Sequence, residues 1–237
     1  MKNYFVLPED SDLLDLIRYL ERAQKLDNGG AVRFRAYGNI LTIYVAPLST
    51  VEFSDHAPLV LGLRTMELLE AAEFDVTVSI SQTLAEIQKP ESAEDFSLAK
   101  RLAKVTDSKN RVYLPSDLVE VTWNQETPTR TGWEQGGEME QKDLTEVARK
   151  GVAEITETLP ASVGGPIAAR VRAENWGKAI DYKYPIPMGA AFVAAGLGFL
   201  TEGEIVPWYV SGDWVRLSSK NGHVLAKFAY DYVSMNS

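Results

Sequence analysis

Cysteine is absent from this sequence, and histidine occurs only twice, at His56 and His223. The absence of cysteine excludes disulfide bonds, thiolate nucleophiles and cysteine-ligated zinc or iron–sulfur sites, and it agrees with a reducing compartment. Two histidines offer little material for a zinc site or a Ser-His-Asp triad, and no G-x-S-x-G segment is present. We therefore predict neither a metal site nor a bound cofactor, and we assign no catalytic residue.

Glycine-rich phosphate-binding motifs are missing as well. The sequence has no G-x-x-x-x-G-K-[ST] loop. Gly196 and Gly198 lack the third glycine and the preceding strand that a dinucleotide-binding fingerprint requires. These gaps argue against the common nucleotide-binding folds.

Long apolar segments and positive charge are also scarce. No stretch approaches the roughly 18 consecutive apolar residues of a membrane span, and the first residues do not form a signal peptide. The net charge is −9, and residues 1–138 hold 14 Lys and Arg against 22 Asp and Glu. Because an acidic chain repels phosphate backbones, we predict that nucleic acid is disfavoured as a partner. The composition predicts a soluble, cytoplasmic protein.

The first half of the sequence has the pattern of a helix-flanked antiparallel sheet. A helix is predicted from the acidic start at residues 8–11 to about residue 27, followed by a hairpin over residues 31–46 around a Gly38-Asn39 turn. Counting outward from the turn places the apolar residues on one face and pairs Arg35 with Thr42 on the other. Two more strands are predicted at residues 59–63 and 76–80. A helix capped by Ser81 and a helix over residues 92–105 follow.

The polar face of this hairpin allows two interpretations. Arg33 and Arg35 beside Tyr44 could bind an anion or an aromatic ligand. The alternative, which we favour, is a solvated sheet face whose arginines pair with nearby acids.

The second half has the pattern of three helices followed by three strands. The helices are predicted at residues 141–159, 164–176 and 187–200, and the strands at residues 205–210, 214–219 and 223–229. An Asn221-Gly222 turn would place Arg216 opposite Lys227. The two positive charges would repel each other, and a nearby acid would relieve this repulsion.

These patterns predict an α+β fold in three parts. A helix-flanked antiparallel sheet covers residues 1–118, an irregular connecting stretch covers residues 119–138, and three helices with a three-stranded β-meander cover residues 139–237. Three helices followed by a hairpin is also the order of a winged helix. However, the third helix carries none of the Lys or Arg residues that a recognition helix needs.

The connecting stretch contains the candidate binding residues. Trp123 and Trp133 lie in a polar, threonine-rich run, and Arg130 and Glu134 add a cation and a carboxylate near Trp133. Such a set suits a small polar ligand or a peptide, and loops often carry function. The alternative is that the two tryptophans are buried where the two halves meet and the remainder is a solvated linker.

We predict from this pattern a non-catalytic binding or interaction protein that uses a groove between its two parts. Its partner would be a protein or a small polar ligand bound by Trp123, Arg130, Trp133 and Glu134. A small-molecule hydrolase or transferase without a tightly bound metal is the first alternative, with Glu134 and Arg130 as the working residues. A winged-helix DNA-binding protein is the second.

Four segments resemble recurring blocks of a family of uncharacterised actinobacterial proteins. They are residues 61–65 (LGLRT), 130–134 (RTGWE), 188–192 (MGAAF) with 198–200 (GFL), and 221–225 (NGHVL). The resemblance covers most of the chain. It implies a cytoplasmic bacterial protein with one architecture along the whole chain, and it implies no particular activity.

Overall fold

A computed structural model describes residues 3–49, 57–88, 110–126, 128–159, 164–181 and 184–228. Within these ranges the chain forms five α-helices, ten β-strands and one short 3-10 helix at Thr122–Gln125. The α-helices are α1 (Asp10–Leu26), α2 (Ile80–Gln88), α3 (Gln141–Thr158), α4 (Gly165–Gly177) and α5 (Met188–Gly196). The strands are β1 (Tyr4–Val6), β2 (Ala31–Leu48), β3 (Leu59–Ser79), β4 (Arg111–Tyr113), β5 (Glu134–Glu140), β6 (Ala179–Asp181), β7 (Tyr184–Pro187), β8 (Ile205–Ser211), β9 (Trp214–Ser219) and β10 (Gly222–Lys227).

The chain divides into two compact units. Unit 1 comprises Met1–Val45 and Thr65–Val121, and unit 2 comprises Ala46–Arg64 and Thr122–Ser237. Unit 2 therefore includes a segment from the first half of the sequence. The predicted division at residues 118 and 139 stays a prediction, and the predicted helix over residues 92–105 lies outside the described residues.

In unit 1 the predicted hairpin is present within the extended element β2. The Thr42 hydroxyl donates to the Arg35 carbonyl oxygen at 3.2 Å. Residues seven apart in a straight strand lie more than 20 Å apart, roughly 3.3 Å per residue, so the chain reverses between them. Gly38, with φ of 60°, supplies the left-handed backbone that such a turn uses. The apolar face is buried as predicted, through Val32, Phe34, Ala36, Leu41, Ile43 and Val45.

The polar face of the same hairpin carries an ion-pair network. Asp75 accepts from the Arg33 Nε at 2.7 Å and from the Arg35 Nε at 2.9 Å. The hydrogen bond to Asp75 raises the pKa of Arg33. The predicted pairing of these arginines with a nearby acid is therefore confirmed.

Helix α1 packs its apolar side into the core of unit 1. Leu16, Leu20 and Ala23 are buried as their spacing predicts, and the Tyr19 hydroxyl donates to the Ile43 carbonyl oxygen at 3.4 Å. At the start of the helix, Glu9 and Asp12 exchange side-chain and backbone hydrogen bonds as a capping box.

The predicted start of α2 was wrong by two residues. Ile80, expected at the end of a strand, is the first helical residue. The Ser79 hydroxyl accepts from the Gln82 amide at 3.5 Å, so Ser79 is the capping residue and Ser81 lies in the helix.

The main sheet has six strands in the order β2-β3-β10-β9-β8-β5. Strand β5 begins at Glu134, inside the stretch that we predicted to be irregular, and pairs antiparallel with β8. Strand β10 pairs on one side with β9 and on the other with the Leu59–Leu63 end of β3, also antiparallel. Mixed helices with an antiparallel sheet agree with the predicted α+β class.

The predicted register of the last hairpin was wrong by two residues. Ser219 pairs with Gly222, so Lys220 and Asn221 form the turn. Arg216 consequently faces Leu225, and Lys227 faces Trp214. A shift of two residues keeps every side chain on its predicted face, but it separates the two cations that we expected to be opposite each other.

The helices of unit 2 pack through aromatic rings and a glycine. The Trp176 ring of α4 stacks on the Phe192 ring of α5 with centroids 4.3 Å apart. The Asn175 amide donates to the Gly151 carbonyl oxygen of α3 at 3.0 Å. Helix α5 ends at Gly196, earlier than predicted, and the antiparallel pair β6 and β7 precedes it. These two strands interrupt the helix order, so the winged-helix arrangement is not the one observed.

Among the described residues, no helix combines the length and the apolar character that crossing a membrane requires.

Candidate functional site

The centre of the candidate site is Arg216, whose guanidinium lies between two aromatic rings of unit 2. Strand pairing places Arg216 of β9 directly opposite Tyr209 of β8. The guanidinium carbon is 4.5 Å from the Tyr209 ring centroid and 4.7 Å from the Trp133 ring centroid. Both distances are well inside the ~6 Å limit for a cation–π contact. The two rings fix the orientation of the cation.

The loop before β5 holds Trp133 in place. The Trp133 indole Nε1 donates to the Thr129 carbonyl oxygen at 2.9 Å. The hydroxyls of Thr129 and Ser211 lie 3.1 Å apart, which ties this loop to the end of β8. Gly132 has a φ of 79°, a left-handed conformation that favours glycine and turns the chain into β5. The Trp133 ring is therefore held by hydrogen bonds within its own loop and by the contact of that loop with β8.

Arg216 keeps its charge without a carboxylate partner among the described residues. Its Nε atom is buried and makes no hydrogen bond. Burial lowers the pKa of Arg216, and the one opposing electrostatic influence comes from the Tyr209 hydroxyl. A partly desolvated cation that lacks a counter-ion is an unusual arrangement, because burying charge is costly unless the charge is paired.

His223 lies on the same face of the sheet. It pairs with Ser218 across the strands, and its Nδ1 is 3.1 Å from the Ser218 hydroxyl. Burial, and secondarily the positive charge of Arg216, lower the pKa of His223. Both causes disfavour the charged form of the imidazole.

Lys227 differs from Arg216 in being fully neutralised. Its Nζ contacts Asp213 at 2.8 Å and Glu126 at 2.9 Å. The hydrogen bond to Asp213 is the main cause that raises the pKa of Lys227. The acid that we predicted near this pair of cations is thus present, but it neutralises Lys227 alone.

Of the four predicted binding residues, the structure brings Trp133 into the Arg216 cluster. Trp123 is buried in the 3-10 helix, with 6% of its surface exposed. Arg130 and Glu134 are exposed, and within the described residues neither side chain makes a hydrogen bond or ion pair. Their role in binding stays a prediction.

The presence of Tyr209 and Arg216 in this site was not predicted from the sequence. The two-residue turn Gly212-Asp213 could have predicted the contact of Tyr209 with Arg216. Pairing Ser211 with Trp214 across this turn places Tyr209 opposite Arg216. Trp133, by contrast, reaches Arg216 from a segment more than 80 residues earlier, and no local pattern predicts that contact. No group of three or more potential metal ligands occurs in the part of the chain that is described.

Two family models match the sequence. A Domain of unknown function (DUF8010) matches residues 1–109, and a Domain of unknown function (DUF8185) matches residues 128–230. Both describe uncharacterised domains, which agrees with the predicted resemblance to an uncharacterised family. A search of the curated proteins finds no match.

Solved structures similar to this chain are bacterial DNA polymerase subunits. The DNA polymerase III subunit beta from Borrelia burgdorferi matches with a TM-score of 0.51 and 10% identity, over 98% of this chain and 67% of that one. The DNA polymerase sliding clamp from Caulobacter crescentus matches with a TM-score of 0.46 and 10% identity, over 99% and 68%. The DNA polymerase III subunit beta from Pseudomonas aeruginosa matches with a TM-score of 0.44 and 12% identity, over 98% and 68%. At this identity the likeness to the Borrelia subunit establishes the fold, and this chain spans about two thirds of that subunit.

This finding contradicts the predicted function. The prediction of an interaction protein that uses a groove between its two parts was wrong. The two alternative predictions, a small-molecule enzyme and a winged-helix protein, were wrong as well. The prediction that nucleic acid is disfavoured as a partner was also wrong, since the similar Borrelia structure is a DNA polymerase III subunit. That prediction relied on net charge, and net charge does not report local cations, whose influence extends only about 10 Å at 0.1 M salt.

Proposed function

We propose that this protein is a DNA-associated accessory protein that binds DNA and other proteins through a fold shared with the polymerase III beta subunit. The observation that carries the proposal is a fold likeness with a TM-score of 0.51 over 98% of the chain. A likeness of that extent involves both halves of the chain rather than one common motif. The predicted cytoplasmic location and actinobacterial origin belong to this proposal.

Exposed cations on α3 and α4 are the residues that we assign to DNA phosphates. Arg149 and Lys150 share Glu146, and Arg170 pairs with Glu174, all at exposed positions. Exposed ion pairs of this kind contribute at most about 1 kcal/mol, so a phosphate can replace the carboxylate at little cost. Binding through such contacts is independent of DNA sequence and sensitive to salt.

Fluorescence anisotropy with a labelled DNA duplex tests the proposal. At physiological salt we expect a Kd of about 10⁻⁴ to 10⁻⁶ M, the range for contacts to the phosphate backbone, and tighter binding at low salt. The double variant Arg149→Gln/Lys150→Gln, which removes both partners of Glu146, should bind more weakly and reduce the salt dependence by about two phosphate contacts. Lys220→Gln, an exposed cation in the β9–β10 turn, is the matched control and should bind as the wild type does.

The measurement is repeated with nicked circular DNA, so that binding that requires DNA without free ends is also detected. If neither DNA produces saturable binding at low salt, DNA association is rejected. Binding that is equally weakened by Lys220→Gln would reject the assignment to α3.

A further inference from the structure

We propose that Arg216, held between Trp133 and Tyr209, binds an oxyanion, the carboxylate or phosphate group of a small ligand. This site lies entirely within unit 2 and is independent of DNA association. It retains one of the binding residues predicted from the sequence, Trp133.

The geometry limits how a ligand can approach the cation. The Tyr209 and Trp133 rings lie 4.5 and 4.7 Å from the guanidinium carbon, so two aromatic rings already pack on this cation. A nucleobase or another aromatic ligand would have to compete with them for the same cation. What remains is the edge of the guanidinium. Its Nε is buried, whereas the two Nη groups are neither buried nor hydrogen-bonded among the described residues.

The N–H groups at that edge have the geometry of an oxyanion receptor. A guanidinium presents its donors in a planar fork that matches two oxygens of a carboxylate or phosphate. Because the rings already fix the Arg216 side chain, binding costs less side-chain entropy than it would at a free surface arginine.

The charges around the site favour an anion over a neutral ligand. The partly buried arginines Arg33 and Arg35 share the carboxylate partner Asp75. Arg216 is also partly buried but has no such partner among the described residues, and its charge adds to the burial that lowers the pKa of His223. A bound oxyanion would supply the missing counter-ion.

Isothermal titration calorimetry with inorganic phosphate, and separately with acetate, tests the proposal at constant ionic strength. Wild-type protein should bind at least one of the two saturably. Tryptophan fluorescence should change in parallel, because Trp133 touches the binding cation. Arg216→Gln should weaken binding by about tenfold or more, the loss expected for hydrogen bonds to a charged group. Trp133→Phe keeps a ring against the guanidinium and should retain most of the affinity while the fluorescence change disappears.

Matched controls separate the site from general charge effects. Arg18→Gln removes an exposed arginine of α1, in unit 1, and should bind as the wild type does. Arg216→Lys keeps the charge but not the planar fork, so it should also bind more weakly, and it serves if Arg216→Gln does not fold. Binding of phosphate alone or acetate alone identifies the ligand class. Failure of the wild type to bind either anion, or equal binding by a folded Arg216 variant, would overturn the proposal.

Discussion

At the scale of single residues, Glu204 shows how one buried carboxylate organises three segments of unit 2. It is 8% exposed, and its side chain accepts from the Lys220 amide at 2.7 Å and the Thr201 amide at 3.3 Å. Its carbonyl oxygen accepts from the Gln141 amide at 2.9 Å. A single residue thus links the loop before β8, the β9–β10 turn and the start of α3.

We predict that Glu204→Gln lowers the free energy of unfolding by about 1–3 kcal/mol. The amide has one acceptor oxygen, and its NH₂ group would face a backbone N–H that the carboxylate now satisfies. Urea denaturation followed by circular dichroism measures the change. Glu202→Gln, an exposed acid in the same loop, is the control and should lie within about 0.5 kcal/mol of the wild type. Equal stability of the two variants would contradict this role for Glu204.

At the scale of secondary-structure elements, close packing of α3 on α4 depends on Gly151. A Cβ at this position would lie 2.4 and 2.8 Å from two atoms of the Trp176 ring. The same ring stacks on Phe192, so it has little freedom to move away. The helix therefore has a glycine where helix propensity alone would favour alanine.

We predict that Gly151→Ala destabilises the protein although it improves helix propensity. Alanine should gain about 1 kcal/mol from propensity, whereas forcing a methyl group into a packed core costs about 1–3 kcal/mol. The net change, measured by thermal unfolding, should be a lower Tm. Gly165→Ala is the control, because no heavy atom lies within 4 Å of the added Cβ and α4 begins there. A higher Tm for Gly151→Ala would show that Trp176 moves freely.

At the scale of the whole molecule, unit 2 is not continuous in sequence. Strand β10 forms five residue pairs with Leu59–Leu63 of β3, which belongs to unit 2 together with the rest of Ala46–Arg64. Cutting the chain at residue 118 would leave β10 with an unpaired edge. Leu225, which pairs with Leu61 and is 3% exposed, would lose that neighbour. Unpaired strand edges promote aggregation.

We predict that residues 119–237 expressed alone do not unfold cooperatively. Fusing residues 46–64 to that fragment through a flexible linker should restore a cooperative thermal transition, because the β3 strand can pair with β10 again. The control is a fusion in which the order of residues 46–64 is scrambled, with composition and length unchanged. A cooperative transition in the unfused fragment would instead support the division at residues 118 and 119 that we predicted from the sequence.

Local patterns predicted the elements whose stability depends on near neighbours in sequence. Helices α1 and α3 and the first hairpin follow from apolar periodicity and a glycine turn, and their limits agree within a few residues. The β9–β10 turn did not follow its Asn221-Gly222 signal. In the structure Glu204 binds the Lys220 amide and the Asn221 side chain donates to Thr201. The position of this turn is therefore determined by contacts with the segment 201–204 and not by the turn propensity of Asn-Gly.

The sequence by itself determined the α+β class, the faces of the strands and the pairing of Arg33 and Arg35 with an acid, because each depends on periodicity or on the abundance of carboxylates. Only the tertiary structure decided which strand borders β10, which rings enclose Arg216 and which solved folds the chain resembles. The physical reason is that these features join segments tens of residues apart. Such contacts depend on how the whole chain packs, so composition and local residue spacing do not predict them.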